Sequence, residues 1–430
     1  MPASLAPDRL PRPALERLQT ERLQTLQSIV LPANRFYANK FAVANVQPNR
    51  LQSLDDLRAW PLTTKAELLA DQETHPPYGS NHTYEAQHYS RIHQTSGTSG
   101  KPLYWLDTPE SWQSCLDIWK NLFRVAGIGP GDRLYFAFSF GPFLGFWTAF
   151  EAAGQLGLFC QAGGGLSTVA RLRQIIEHRA TVVLCTPTYA LHLAQAAKIQ
   201  GIDLASSAVR IVLVAGEPGG SIPETRGLIE RGFGARVVDH CGMTEVGPTA
   251  IECLESPASL HIIETDYVAE ILNSDDLQPT PPGQLGELIL TTLSRLGSPL
   301  LRYRTGDLVR AAREPCPCGR SLLRLEGGIL GRVDDMIHLR GNNFYPGAVE
   351  AILRRFENVV EYRITVDETA PLTALRIEVE PAAGVDGKGL AETVSQALRD
   401  ELLFRVDVAP VPGGSLPRFE MKARRLVHKR

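Results

Sequence analysis

The sequence predicts an α/β protein: a large N-terminal domain built on parallel sheet and carrying a small barrel-like segment, followed by a small C-terminal α/β domain. Three observations carry this reading. From about residue 118 to 240, short continuous apolar runs alternate with helical patterns, as buried parallel strands covered on both faces do. After about residue 265 the texture changes to apolar runs joined by a Pro/Gly loop at 279–283. The chain has 430 residues, too many for one small fold and enough for two or three domains.

The elements follow in order. Residues 15–30 (LERLQTERLQTLQSIV) form an amphipathic helix with Leu15, Leu18, Leu23 and Leu26 near helical spacing. It packs on the main body, with a partner helix as the alternative. Thr64-Lys-Ala-Glu67 is a capped helix start. Strands are expected over 133–140, 158–160, 181–186, 209–215 and 236–238, with helices over 143–156, 167–178 and 189–199 and between the last two strands. Residues 268–272 and 287–292 read as hairpin or barrel strands. A boundary falls near Gly331–Asp335, giving domains of 1–332 and 333–430. In the tail, 360–366 and 375–379 read as strands and 390–404 as a helix. No repeat recurs at a fixed period.

Composition excludes several classes. Hydrophobic residues make up 43% and charged residues 21%, ordinary for a globular chain. With 44 basic and 47 acidic residues the net charge is −3, which leaves nucleic-acid binding without an electrostatic footprint. No stretch approaches the roughly 18 apolar residues of a membrane helix. Asp8 and early prolines without an apolar run argue against a secretory signal. Seven scattered cysteines read as a reducing compartment, with cytoplasm the default.

Six motifs could carry chemistry. Thr95-Ser-Gly-Thr-Ser-Gly-Lys-Pro102 combines small hydroxyls, glycines and a lysine, as a loop closing on phosphate oxygens does. It lacks the Walker spacing, and a flexible Ser/Gly linker has the same composition. Ala215-Gly-Glu-Pro218 ends an apolar strand, where glycine allows backbone to approach a flat ligand; a plain strand-to-helix turn reads the same way. Asp239-His-Cys-Gly-Met-Thr-Glu245 sets a carboxylate and a hydroxyl past a strand, a pairing that can hold Mg²⁺ near phosphate. Arg302-Tyr-Arg-Thr-Gly-Asp307 places an aspartate after a tight turn, suited to ribose hydroxyls. Gly331-Arg-Val-Asp-Asp335, followed by Arg340-Gly-Asn-Asn-Phe-Tyr-Pro346, is the fifth. Lys422, in a basic tail, is the sixth.

Cys253, His261, Cys316 and Cys318, with 7, 54 and 1 residues between them, are the side chains structural zinc prefers, though not at finger spacing. The alternative is a buried cysteine, an exposed thiol pair and a surface histidine. Cys115, Cys160 and Cys185 lie in apolar surroundings and read as core.

Together and in this order, the motifs resemble the adenylate-forming superfamily and, more narrowly, the phenylacetate–coenzyme A ligase family. The resemblance covers nearly the whole chain, from Leu18 through Phe36-Tyr37 and Pro61-Leu-Thr-Thr-Lys65 to the basic tail. It implies an ATP-dependent carboxylic acid–CoA ligase working through an acyl-adenylate, with ATP, Mg²⁺ and coenzyme A. Its C-terminal domain would be mobile, rotating between the two half-reactions. Carried over residue by residue, Thr95, Ser96, Gly97, Thr98, Ser99, Gly100 and Lys101 match the phosphate loop. Gly216, Glu217 and Pro218 match the adenine-edge turn. Asp239, His240, Cys241, Gly242 and Met243 lead into Thr244 and Glu245, which match the segment contacting phosphate and Mg²⁺. Asp307 matches the ribose-binding aspartate, Arg332 the arginine near the nucleotide, Asp334 the hinge, and Lys422 the lysine that enters the site for adenylation. The Arg340-Gly-Asn-Asn-Phe loop would face the site in the other state.

Cys241 departs from the pattern, standing where the family usually has an aromatic residue stacked on adenine. Family members often show a similar Cys…His…Cys-x-Cys set, so the resemblance implies structural Zn²⁺ clipping the segment of about 250–330 to the loop before the hinge. Phe138, Phe140, Gly141, Phe143, Gly145 and Trp147 fall where the family lines its acyl pocket, suiting an aryl or small hydrophobic acid; core packing is the plainer account. The alternatives are an adenylating enzyme with another acceptor (a cofactor hydroxyl, carrier protein or amine) and a non-catalytic nucleotide-binding homologue. A homodimer is compatible with the resemblance, while nucleic-acid and membrane partners are not expected.

Overall fold

The apolar runs between residues 133 and 243 form five neighbouring strands of an eight-stranded sheet, out to one of its edges. The computed structural model describes residues 6–47, 51–95, 101–339, 342–367, 369, 374–402, 406–419 and 423–429. The sheet runs Arg324–Glu326, Ser259–Ile262, Gly247–Glu252, Arg236–Met243, Ile211–Ala215, Val182–Cys185, Arg133–Phe136, Phe159–Ala162. The last five are mutually parallel; the first three continue the sheet antiparallel.

Alternation explains why these strands read as unbroken apolar runs. Leu134, Phe136, Val182, Leu184, Ile211 and Leu213 face one buried core, while Tyr135, Val183, Cys185, Val212 and Val214 face another. Both faces are loaded at period 2. Helices Pro109–Val125 and Trp147–Gln155 cover the first face, and Thr168–Glu177, Pro187–Ile199 and Pro223–Phe233 cover the second. Ser167, Thr186 and Thr108 cap their helices by accepting from the N–H groups of Ala170, Tyr189 and Ser111.

Some boundaries move. The helix expected from Phe143 begins at Trp147, because Pro142 and Gly145, at φ +37°, keep 141–146 irregular. The strand expected over 236–238 continues to Met243. The N-terminal helix, Arg12–Ala33, packs on the main body as expected. Its fully buried seam is Leu15, Leu23, Leu26 and Val30, each contributing about 2 kcal/mol by burial. Leu18 is only half-buried, and Gln19 takes the seam position, donating to the Tyr267 carbonyl at 2.8 Å.

The barrel-like segment is an open antiparallel sheet of four strands, Tyr267–Leu272, Leu285–Thr292, Tyr303–Arg310 and Gly331–Arg332. The two-residue last strand is too short to close a barrel. The 3₁₀ turn Val333–Asp335 follows. Beyond it, Asp407–Pro410, Ala374–Pro381, Val359–Asp367 and Leu426–Lys429 form a second four-stranded sheet. Its own core includes Val349, Leu353, Ile377, Val379, Val394 and Leu398.

Candidate active site at the strand ends

In an open parallel sheet, ligands bind beyond the carboxyl ends of the strands. Gly216-Glu217-Pro218 leaves strand Ile211–Ala215 at that edge, and Ala215 pairs with His240 on the next strand. Gly216 has φ +94°, a left-handed turn that a side chain would strain. The open sheet adds Asp307 and Arg332, which are register partners.

Arg332 joins two of the candidate residues. Its Nη1 donates to Asp307 Oδ1 at 3.0 Å and its Nε to Asp334 Oδ1 at 2.9 Å. Gly306 makes room: a Cβ there would lie 2.7 Å from Arg332 Nη2. Burial pulls the Arg332 guanidinium down, but Asp307 and Asp334 outweigh it and hold its pKa above the ordinary value.

Glu245 is buried, and its carboxylate lies 3.0 Å from Lys65 Nζ. Tyr303 hydrogen-bonds the same carboxylate; burial, then the Glu245 charge, hold its phenol well above the ordinary value. The Thr244 and Glu245 carbonyls both accept from Arg295 Nη1, at 2.8 and 3.0 Å. Arg295 is itself buried and clasped by Asp107 through two bonds of 2.6 Å. Sequence reasoning gave no role to Lys65, Arg295, Asp107 or Tyr303. Lys65 follows the legible cap at Thr64, whereas Arg295 and Asp107 meet across the chain without a local signal.

Strand alternation separates Asp239 and Cys241 from His240. Asp239 accepts from Ser221 Oγ at 2.6 Å, and burial pushes its carboxyl up to about 6 against the pull of Ser221 and Arg226. Cys241 is half-buried; burial, then Asp307, push its thiol up. The His240 ring turns into the core, its Nδ1 2.7 Å from the Ala250 carbonyl and its centroid 4.4 Å from Trp119. Burial lowers its pKa to about 4, so it is neutral. Gly242 is exposed and Met243 half-buried at the strand end.

Thr95 is tied to Leu103 by two hydrogen bonds of 2.9 and 3.0 Å, closing the base of the hydroxyl-rich loop. Ser96, Gly97, Thr98, Ser99 and Gly100 lie outside the described residues, as does Lys422. Lys101 pairs with Glu73 at 2.9 Å on the surface. The Glu217 carboxylate lies just past the carboxyl end of strand Val182–Cys185, where it accepts from Thr188 N at 2.9 Å and Ala423 N at 2.6 Å.

Beside strand Arg133–Phe136, Phe140 meets Trp147 at 4.7 Å, Phe150 at 5.3 Å and Phe138 at 5.5 Å. Trp147 Nε1 donates to the Gly141 carbonyl at 2.9 Å. Phe140, Gly141, Phe143 and Trp147 are half-buried, whereas Phe138 is buried. A partly open aromatic wall therefore adjoins the strand ends, and Phe138 serves the core.

Cys253, His261, Cys316 and Cys318 are all buried, with their ligand atoms within 4.8 Å of one another. Cys253 Sγ lies 3.6 Å from Cys316 Sγ, and Cys318 Sγ 3.6 Å from His261 Nε2. A tetrahedral zinc site has edges of about 3.5–3.8 Å between such ligands, so the residues fit the ion.

Comparisons with known proteins show the family and the fold. The family described as AMP-binding enzyme matches residues 39–294, and its C-terminal domain matches 341–430. The chain is 32% identical to the phenylacetate–coenzyme A ligase of Thermus thermophilus, covering 96% of this chain and 95% of that protein. It is 32% identical to that of Escherichia coli, covering 96% and 94%. Among solved structures, 2-hydroxyisobutyryl-CoA ligase in its postadenylation state, with 2-HIB-AMP, superposes with a TM-score of 0.93 at 26% identity, over 100% of this chain and 94% of that one. The same ligase in its thioesterification state, with 2-HIB-AMP and CoA, gives 0.75 over the same coverage. The domain arrangement here is thus closer to the postadenylation state. Among the described residues, no helix is long and apolar enough to cross a membrane. The chain belongs to the AMP-binding enzyme family, alongside its phenylacetate–coenzyme A ligases, and is an ATP-dependent, AMP-forming acid–CoA ligase.

Proposed function

We propose that the acid is an aryl or small hydrophobic carboxylic acid, activated at the strand ends and passed to coenzyme A. The aromatic wall of Phe140 and Trp147 beside the strand ends carries this reading, since a partly open aromatic slot suits a flat or compact apolar acid. The names of the relatives, which include phenylacetate and 2-hydroxyisobutyryl-CoA ligases, support the same size class.

In this reading the carboxylate oxygen attacks the α-phosphorus of ATP and pyrophosphate leaves. The coenzyme A thiolate then attacks the acyl carbon and AMP leaves. Asp307, held by Arg332, takes the ribose hydroxyls. Gly216, Glu217, Pro218, Asp239, Cys241, Gly242 and Met243 border the adenine, Glu217 through its backbone because its carboxylate is engaged by Thr188 and Ala423. For His240 this leaves the backbone, because its ring is engaged in the core. Thr244 and Glu245, with Thr95 and the loop to Lys101, face the phosphates. Mg²⁺ held there by Glu245 would neutralise charge on the leaving pyrophosphate. Lys422 supplies a mobile cation to the carboxylate and α-phosphate. Asp334 is the hinge, and we place the domain boundary at 332/333.

Cys253, His261, Cys316 and Cys318 would hold a structural Zn²⁺, bonding the strands near 253 and 261 to the loop before Arg324. We also propose a cytoplasmic setting, consistent with the unpaired cysteines. A homodimer rests on the family resemblance alone.

The test is pyrophosphate release with ATP and Mg²⁺ across aryl and short aliphatic acids, with and without coenzyme A. Acid-dependent release and an acyl-CoA product for an aryl or small hydrophobic acid are expected. Turnover confined to long-chain or highly polar acids would overturn the substrate reading, and release without thioester would move the acceptor elsewhere.

A further inference from the structure

Among the described residues, a partly buried polar link between the two domains is built on Glu217 and Thr188. Glu217 accepts from Thr188 N through Oε1 and from Ala423 N through Oε2, at 2.9 and 2.6 Å. Thr188 also accepts, through Oγ1, a hydrogen bond of 3.0 Å from Arg425 Nη1. Ala423 and Arg425 belong to the C-terminal domain, and Arg425 is firmly held there. Arg425 Nε and Nη2 donate to Glu361 at 2.6 and 3.0 Å, and the Arg425 carbonyl accepts from Ile364 N at 2.7 Å. Its guanidinium lies over the Tyr362 ring at 5.0 Å. The segment therefore moves with its domain, and Glu217 and Thr188 grip it from the other side. Apart from the hinge pair Arg332–Asp334, the other domain-crossing ion pairs among the described residues are looser: Arg355–Glu224 at 3.5 Å and Arg231–Glu357 at 3.7 Å. Arg231 and Glu357 are largely exposed, and such pairs contribute little.

The grip sits immediately after Lys422. In the postadenylation-like arrangement described here, Ala423 N and Arg425 reach the large domain. A rotation toward the thioesterification arrangement must carry both away, leaving Glu217 with Thr188 N alone. We infer that Glu217 and Thr188 are positioning residues: a catch that holds the C-terminal domain, and with it Lys422, in the adenylation arrangement and must open before thioester formation. The inference rests on the two half-reactions of the ligase reading.

Thr188→Val keeps the backbone N–H to Glu217 and removes only the acceptor for Arg425. Glu217→Gln leaves one side-chain oxygen where two were accepting. ATP–pyrophosphate exchange should fall about fivefold in Thr188→Val, the worth of one hydrogen bond, with the ATP KM changed less than about twofold. It should fall further in Glu217→Gln. Thioester formation by Thr188→Val from supplied acyl-adenylate and coenzyme A should not slow. Solution X-ray scattering of the free proteins should show both variants shifted from the postadenylation arrangement relative to wild type. Equal losses in both half-reactions, or unchanged exchange and scattering, would overturn the catch. Scattering needs no acid: a wild type inactive with every acid would count against the substrate reading, while the catch would still stand or fall on the domain arrangement.

Discussion

The Lys65 ammonium lies 3.0 Å from the Glu245 carboxylate, so the side chain proposed to face the nucleotide phosphates already has a cationic partner from the helix Lys65–Thr74. Glu245 is buried, whereas Lys65 is partly exposed. A buried carboxylate stripped of its partner repels phosphate as well as losing a charged hydrogen bond. Lys65→Met should raise the ATP KM roughly tenfold. Steady-state kinetics with unchanged ATP dependence would remove Lys65 from the phosphate end of the site.

Asp307 and Arg332 form the second charged pair, at 3.0 Å. Asp307→Asn keeps the shape and removes the charge that holds Arg332 and accepts from ribose. The ATP KM should rise about ten- to hundredfold, as loss of one or two charge-assisted hydrogen bonds would give. Turnover with intact ATP kinetics would contradict the ribose contact.

The Cys/His cluster makes a prediction about composition. Purified protein should carry about one zinc per chain, the stoichiometry of a single tetrahedral site. Stripping the metal, or changing Cys316→Ser, should lower the melting temperature because binding free energy is folding free energy. Metal-free protein with an undiminished melting temperature would remove the site.

Burial pushes Glu252 up to about 7, with Arg226 opposing, and Asp239 up to about 6. Both values lie above those of exposed carboxyls. Between about pH 4.5 and 7 the unfolded chain therefore gives up these protons before the folded one, and the pair withdraws stability as pH rises. Glu252→Gln removes half of this effect. Its melting temperature relative to wild type should improve by a few degrees between pH 5 and pH 8. A relative decline over that range would show that Arg226 dominates and that the sign is wrong.

The parallel sheet was legible because its strands are apolar on both faces, a signal within each run of residues. The cap at Thr64 was legible for the same local reason. What the sequence hid is non-local. Gln19 enters the helix seam because the Tyr267 carbonyl is there to receive it. The Arg295–Asp107 clasp behind Thr244 and Glu245 joins residues 188 apart, and Glu217 meets Ala423 over a separation of 206. The motif Asp239–Glu245 was legible as a string, but the orientation of His240 depended on strand Arg236–Met243 running past residue 238. The metal cluster was partly legible because Cys and His carry their chemistry in their identity; its convergence on one buried point needed the fold.

The central claim is that one site makes an acyl-adenylate and then a thioester. The direct measurement is a single turnover with ATP, Mg²⁺ and an accepted acid, chased with coenzyme A, following all nucleotides and acyl species. The account predicts acyl-adenylate and pyrophosphate in equal amounts before the chase, then equal acyl-CoA and AMP after it. Formation of ADP and phosphate, or thioester without a preceding adenylate, would contradict it.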